Sequence, residues 1–192
     1  MLKKIPNILT IGRIIIVPFF VLAFYLPGFY GDLTACVLFV IASFTDFLDG
    51  MLARMMSEES KLGELLDPIA DKIIVATALI LLVMSGTIRH YEVIAAIIIL
   101  TREILISGLR EFLARGKIKL PVTNLAKLKT FLQMVAIALL LTGETGNKIL
   151  NFQNYNAQTI GIILLWLSAF LTLYTGYEYL RKGIDHAMSE DN

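Results

Sequence analysis

Four aspartates, Asp46, Asp49, Asp67 and Asp71, lie close together in a chain that is strongly apolar on either side of them. On a helix, positions i, i+3, i+4 and i+7 share one face. Asp46, Asp49, Gly50 and Ala53 have that spacing, so one stripe carries two carboxylates beside two residues with almost no side chain. Ser60, Gly63, Asp67 and Asp71 repeat at helical intervals on the following segment and form a second stripe. Four ionised carboxylates brought together raise one another's pKa and stay charged only if cations neutralise them. The donor set is all oxygen, with no histidine or cysteine near it, which selects Mg²⁺ or Mn²⁺ over zinc or copper. Two divalent ions balance four negative charges and suit in-line displacement at phosphorus. Arg54 adds a planar fork that fits a phosphate oxygen. The competing reading, helix caps or solvated loop charges, explains one aspartate at a helix end more easily than four on two stripes. Pro68 either kinks its helix or marks its start.

The elements that must position these carboxylates are membrane spans. The chain has 192 residues, 57% apolar and 17% charged, and a mean hydropathy of +0.74. That balance points to an all-α polytopic membrane protein. Six apolar segments can be drawn, at residues 8–26, 33–51, 62–84, 93–113, 124–141 and 160–179. Each is long enough to cross roughly 30 Å of hydrocarbon. No internal repeat or low-complexity tract divides the chain, so residues 1–192 read as one domain, with residues 43–72 as its metal motif. With the N-terminus in the cytoplasm, Arg89 and Lys148 are the only two of the 17 basic residues in exterior loops. The positive-inside rule therefore gives an N-in, C-in topology. The four aspartates then sit at the cytoplasmic ends of spans two and three. A near-neutral net charge of +1 offers no argument for a nucleic-acid partner. The single cysteine, Cys36, forms no internal disulfide, and the separation of His90 from His186 argues against zinc. Lys3 and Lys4 precede an apolar run without a small-residue cleavage site, which is read as an uncleaved first span.

A second polar group interrupts span four in "LTREILISGLREFLAR". Arg102 and Arg110, with Lys127 and Lys129 at the start of span five, carry more positive charge than Glu103 can pair. Such a cluster suits an anionic acceptor, particularly one bearing a phosphate. Two other readings stand beside it: topology residues or lipid-headgroup contacts for Arg110, Lys127 and Lys129, and a buried ion pair for Arg102 and Glu103. In span one, Asn7, Thr10 and Arg13 share a face. They reach a substrate, or Asn7 caps the helix and Arg13 snorkels to the interface.

The pattern Asp46-x-x-Asp49-Gly50-x-x-Ala53-Arg54, eight residues, Gly63-x-x-x-Asp67-x-x-x-Asp71 resembles the signature of the CDP-alcohol phosphotransferase family. The resemblance implies a six-span membrane enzyme, commonly a homodimer, that transfers a substituted phosphate from a CDP-linked donor to an alcohol and releases CMP. It makes Asp46, Asp49, Asp67 and Asp71 the ligands of a dinuclear Mg²⁺ or Mn²⁺ site and Asp71 also the general base. It assigns Gly50, Ala53, Arg54, Ser60 and Gly63 to the CDP moiety. "IPNILTIGRIIIVPFF", "TREILISGLREFLA" and "AKLKTFLQMVAIALLL" further resemble the bacterial branch that joins CDP-diacylglycerol to sn-glycerol 3-phosphate. On that resemblance Arg102, Arg110, Lys127 and Lys129 are candidates for the acceptor phosphate, and the protein is expected in the cytoplasmic membrane. Inositol phosphate also satisfies a basic pocket. Serine fits it poorly, and phosphatidylglycerol as acceptor would make a cardiolipin synthase. A reading of another class is a cation transporter using intramembrane aspartates; against it, the aspartates gather at one membrane face.

Overall fold

The computed structural model describes the backbone of residues 5–56, 61–115, 123–150 and 156–190, with side chains left out at 5–9, 46–56, 61–65, 67, 68, 114, 115, 144, 149, 150, 182 and 184–190. Within these residues the chain is helical throughout, with no strand. The elements are α1 (Ile5–Phe24), α2 (Phe29–Met56), α3 (Lys61–Met84), α4 (Glu92–Arg115), α5 (Asn124–Leu150) and α6 (Ala157–Glu190). The six apolar segments of the sequence each fall on one of them.

Local chemistry sets the ends. The helix α1 closes in a turn where Gly28 has φ +75°, a conformation that glycine adopts without cost. Gly31 must also lack a side chain, because a Cβ there would run into the Leu26 carbonyl oxygen. Gly86, again at φ +75°, follows the end of α3. The Thr123 hydroxyl accepts from the Ala126 N–H at 3.2 Å, and the Asn156 side chain accepts from the Thr159 N–H at 2.7 Å. These are N-caps of α5 and α6. The helix α5 bends at Gly143, where the backbone leaves helical geometry.

The helices run up and down. Tyr25 meets Met84, Thr145 meets Asp32, and Gln158 donates to the Thr87 carbonyl, so the α1–α2 turn, the α3–α4 turn and the α5–α6 ends gather at one end of the bundle. Arg110 meets Tyr179 and Leu109 meets Gly183 towards the other end. The helix α1 packs on α2 and α3, α2 also on α5, and α6 lies along α5 and α4. Small residues let α6 approach closely: a Cβ at Gly161 would sit 2.8 Å from Leu140, and one at Gly176 3.1 Å from Arg102.

Around an apolar core that includes Phe20, Phe39, Leu79 and Ile137, the exterior is apolar as well. Phe19, Leu22, Ile104, Phe112, Phe131 and Phe170 face outward, whereas Arg13, Lys129, Gln133, Thr172 and Thr175 are buried. An apolar exterior with polar groups turned inward is what hydrocarbon solvent selects. By length and composition, Asn124–Gly143 and Ala157–Arg181 can each cross a membrane, and the shorter apolar stretches Thr10–Phe24 and Phe29–Thr45 accompany them.

Candidate active site

The helix backbone carries the aspartate pattern as its spacing predicts. Asp46, Asp49, Gly50, Ala53 and Arg54 lie in the last turns of α2, and Gly63, Asp67 and Asp71 in α3. Helix α3 begins at Lys61, so Pro68 is internal to it and does not mark its start. The side chains of these residues, Asp71 apart, lie outside the described residues, as does Ser60 altogether. Among the described residues no cluster of three or more metal-binding side chains forms, since Asp71 alone of the four is in that set.

Asp71 stands on the wall of a small open cleft between α3, α4 and α5. Its polar neighbours along the wall are Lys72, Glu103, Thr130 and Gln133, and Leu100 and Met134 contribute apolar surface. Lys72 Nζ lies 3.8 Å from Asp71 Oδ2.

The basic residues divide into two groups. Lys129, with its side chain only 4% exposed, reaches from α5 to donate to Glu103 Oε1 on α4, and Arg102 Nη1 lies 3.7 Å from the same oxygen. This answers the ion-pair alternative for Glu103: the pair is part-buried, and its closer cation comes from α5. Arg102 and Arg110 turn the other way, towards α6. Arg102 donates to Thr175 Oγ1 at 3.2 Å and Arg110 to the Tyr179 hydroxyl at 3.0 Å. Both guanidinium carbons lie over the Tyr179 ring, at 5.9 and 4.9 Å from its centroid. A ring face holds a cation without neutralising its charge, so Tyr179 orients both arginines; Arg110 keeps its positive field, while Arg102 shares its charge with Glu103. Glu103 and Arg110, seven residues apart on α4, therefore engage different helices, α5 and α6. Lys127 is exposed on α5. Lys117 and Lys119 lie outside the described residues.

In span one, Arg13 is 1% exposed and Thr10 fully buried. Arg13 does not snorkel. It is enclosed on α1, the helix that packs on α2 and α3. A buried charge is retained only where it is paired.

Four wall or cluster residues were not singled out from sequence. Lys72 was passed over because the helical stripe runs through Asp71 and not its neighbour. Thr175 and Tyr179 meet the arginines across a separation of about seventy residues, which no local pattern encodes. Gln133 had a readable signal: it is one helical turn after Lys129, on the same face.

The sequence model of the CDP-alcohol phosphatidyltransferase family matches residues 3–174. A protein of Rickettsia felis is 43% identical over 179 residues, covering 93% of this chain and 94% of its own length. One of Cereibacter sphaeroides is 37% identical over 217 aligned positions, covering 97% and 98%, and one of Shigella flexneri 39% identical over 183, covering 92% and 93%. All three carry the name CDP-diacylglycerol–glycerol-3-phosphate 3-phosphatidyltransferase. With a match over nearly its full length and the family's aspartate pattern on α2 and α3, the chain belongs to the CDP-alcohol phosphatidyltransferase family.

Proposed function

We propose that this protein transfers the phosphatidyl group of CDP-diacylglycerol to sn-glycerol 3-phosphate, giving phosphatidylglycerophosphate and CMP. The observation that carries the reading is the near full-length similarity to relatives named for this reaction. The cleft supports it: Asp71 stands on a wall whose neighbours include a lysine, with two further arginines held over an aromatic ring nearby on α4 and α6. None of the relatives cited is named as a transporter, so the cation-transport alternative has no support among them.

The chain acts as one six-span domain, N-in and C-in, in the cytoplasmic membrane, with the Asp71 end of the bundle facing the cytoplasm. The apolar exterior and the bias of basic residues support this placement. It works as a homodimer and has no nucleic-acid partner. The four carboxylates Asp46, Asp49, Asp67 and Asp71 suit a hard divalent cation by donor chemistry, and these residues would hold two Mg²⁺ or Mn²⁺ ions. When bound, such ions neutralise the pyrophosphate and its leaving group. Gly50, Ala53 and Gly63 leave room for the CDP moiety, with Arg54 and Ser60 contacting it.

The protein's own part in the reaction is to bind, orient and move a proton. Asp71 accepts the proton of the C1 hydroxyl of glycerol 3-phosphate. That oxygen forms a bond to the phosphorus carrying the diacylglycerol, the bond from this phosphorus to the oxygen of CMP breaks, and CMP leaves with the electron pair. Arg102, Arg110, Lys127 and Lys129 supply the field that draws the acceptor phosphate. Lys129 acts through Glu103, which it fixes.

The test is CMP release from CDP-diacylglycerol by the purified protein, with glycerol 3-phosphate, inositol phosphate, serine and phosphatidylglycerol offered in turn. Turnover with glycerol 3-phosphate well above the others is expected. Turnover with another alcohol alone would overturn the acceptor assignment, and ion flux in proteoliposomes without CMP would overturn the enzyme reading.

A further inference from the structure

Among the described residues that line the cleft, Gln133 has a buried polar atom without a hydrogen-bond partner. It is 2% exposed, it lines the same wall as Asp71, and its Oε1 has no donor among the described residues. A buried amide oxygen without a donor is costly, and native structures retain one where a water, an ion or a ligand completes it or where it serves function. Of its polar neighbours on the wall, Asp71 and Glu103 carry carboxylates that accept and do not donate when ionised, the Thr130 hydroxyl donates to the Ala126 carbonyl at 3.1 Å, and the Lys72 ammonium lies 3.8 Å from Asp71. Lys129, one turn earlier on α5, is committed to Glu103.

We propose that Gln133 is a specificity-determining residue of the acceptor site, its Oε1 receiving a hydrogen bond from the C2 hydroxyl of glycerol 3-phosphate; this rests on the function proposed above. Chemistry restricts what can fill the position. Phosphate and pyrophosphate oxygens are acceptors at neutral pH and leave Oε1 unsatisfied. The C1 hydroxyl gives its proton to Asp71 during the reaction. The C2 hydroxyl is a donor throughout, one carbon from the attacking oxygen, and so lies near Asp71 when the acceptor is in place. The hydroxyls of the CDP ribose are also donors, but the nucleotide is assigned to Gly50, Arg54 and Gly63 on α2 and α3, whereas Gln133 belongs to α5 beside Thr130 and Lys129. A hydrogen bond there fixes the C1 oxygen towards phosphorus and rejects acceptors that lack the second hydroxyl, because they leave a buried acceptor unpaired.

The experiment compares kcat/KM for glycerol 3-phosphate with that for 1,3-propanediol monophosphate, which lacks only the C2 hydroxyl. The full-length enzyme should prefer glycerol 3-phosphate by about 10-fold or more. Gln133→Leu should bring the ratio close to one through a loss confined to glycerol 3-phosphate, with the KM for CDP-diacylglycerol unchanged. Because the ratio is taken within one preparation, a lower fraction of folded protein cancels. If the leucine variant gives no folded protein, Gln133→Met, closer to glutamine in shape, carries the same comparison. A wild-type enzyme that uses both acceptors equally, or a variant that keeps the wild-type preference, overturns the assignment of Gln133 alone. A rise confined to the KM for CDP-diacylglycerol also overturns it, placing Gln133 at the nucleotide. A wild-type enzyme that releases no CMP with glycerol 3-phosphate but does so with another alcohol overturns the proposed function, and this inference with it.

Discussion

The two ends of the bundle treat polar groups in opposite ways. At the Gly28 end most polar side chains are satisfied locally: Asn156 caps Thr159, Glu92 accepts from the Arg89 N–H at 3.0 Å, and Ser85 bonds Thr87 two residues away. The long-range contacts there, Thr145 to Asp32 and Gln158 to the Thr87 carbonyl, join neutral donors to acceptors. At the Asp71 end each contact carries a cation to a different helix, Lys129 to Glu103, Arg110 to the Tyr179 hydroxyl, and Arg102 to the Thr175 hydroxyl. One end closes turns. The other brings ionic groups together inside an apolar exterior, where they are expensive unless they serve a function.

Removing divalent cations should separate the ends most sharply. Exhaustive chelation should reduce CMP release to background, with activity restored by Mg²⁺ or Mn²⁺, because four carboxylates without counter-ions neither bind pyrophosphate nor remain ionised together. Persistent turnover in chelator would remove the metal from the Asp71 end. Next in size is Asp71→Asn, which keeps shape and hydrogen-bonding capacity but abolishes the base. Turnover should fall by ~100-fold or more while the protein still elutes as folded. Near-normal turnover would leave Asp71 as a wall residue beside Lys72.

A single charge at the Tyr179 cluster should have a smaller and more selective effect. Arg110→Ala removes a cation that is held by a ring face and a hydroxyl but not neutralised by a carboxylate among the described residues. The KM for glycerol 3-phosphate should rise roughly 10-fold, the scale of one charge-assisted contact, with the KM for CDP-diacylglycerol little changed. An equal rise in both would make Arg110 a residue of topology or general stability.

The contrast between the ends also explains what the sequence disclosed. All six helices were readable because a continuous apolar run of span length has few alternative folds, and the segments at 93–113 and 124–141 lie within α4 and α5. The aspartate stripes were readable because i, i+3 and i+4 spacing is local and survives on the helix backbone. The division of the basic cluster was not. Arg102 and Glu103 are adjacent, yet one turns to Thr175 on α6 and the other to Lys129 on α5. Which neighbour each side chain meets depends on how the helices are rotated about their axes, and that is set by close approaches such as Gly176 against Arg102. Arg13 failed as a snorkelling residue for the same reason: its position near a helix end suggested water, and helix packing enclosed it.

The smallest effect belongs to the Gly28 end and is the control for the rest. The Thr145 hydroxyl donates to Asp32 Oδ2 at 2.9 Å, just past the bend at Gly143, where a Cβ would come within 3.4 Å of the same oxygen. The bend and the hydrogen bond thus seat the end of α5 against the start of α2, far along the bundle from Asp71. Thr145→Val keeps the branched shape and deletes the donor. Interhelical hydrogen bonds in membrane proteins contribute only about 0.6 kcal/mol on average, with about 1.5 kcal/mol near the upper end. Asp32 is partly exposed and can recover a donor from solvent. The variant should therefore lower the Tm in detergent slightly and leave both KM values and kcat at wild-type levels. A loss of turnover comparable to that of Arg110→Ala would mean that the bend in α5 transmits to the cleft through Gln133 and Lys129 on the same helix. The two ends would then be one cooperative unit, not a structural end and a chemical one.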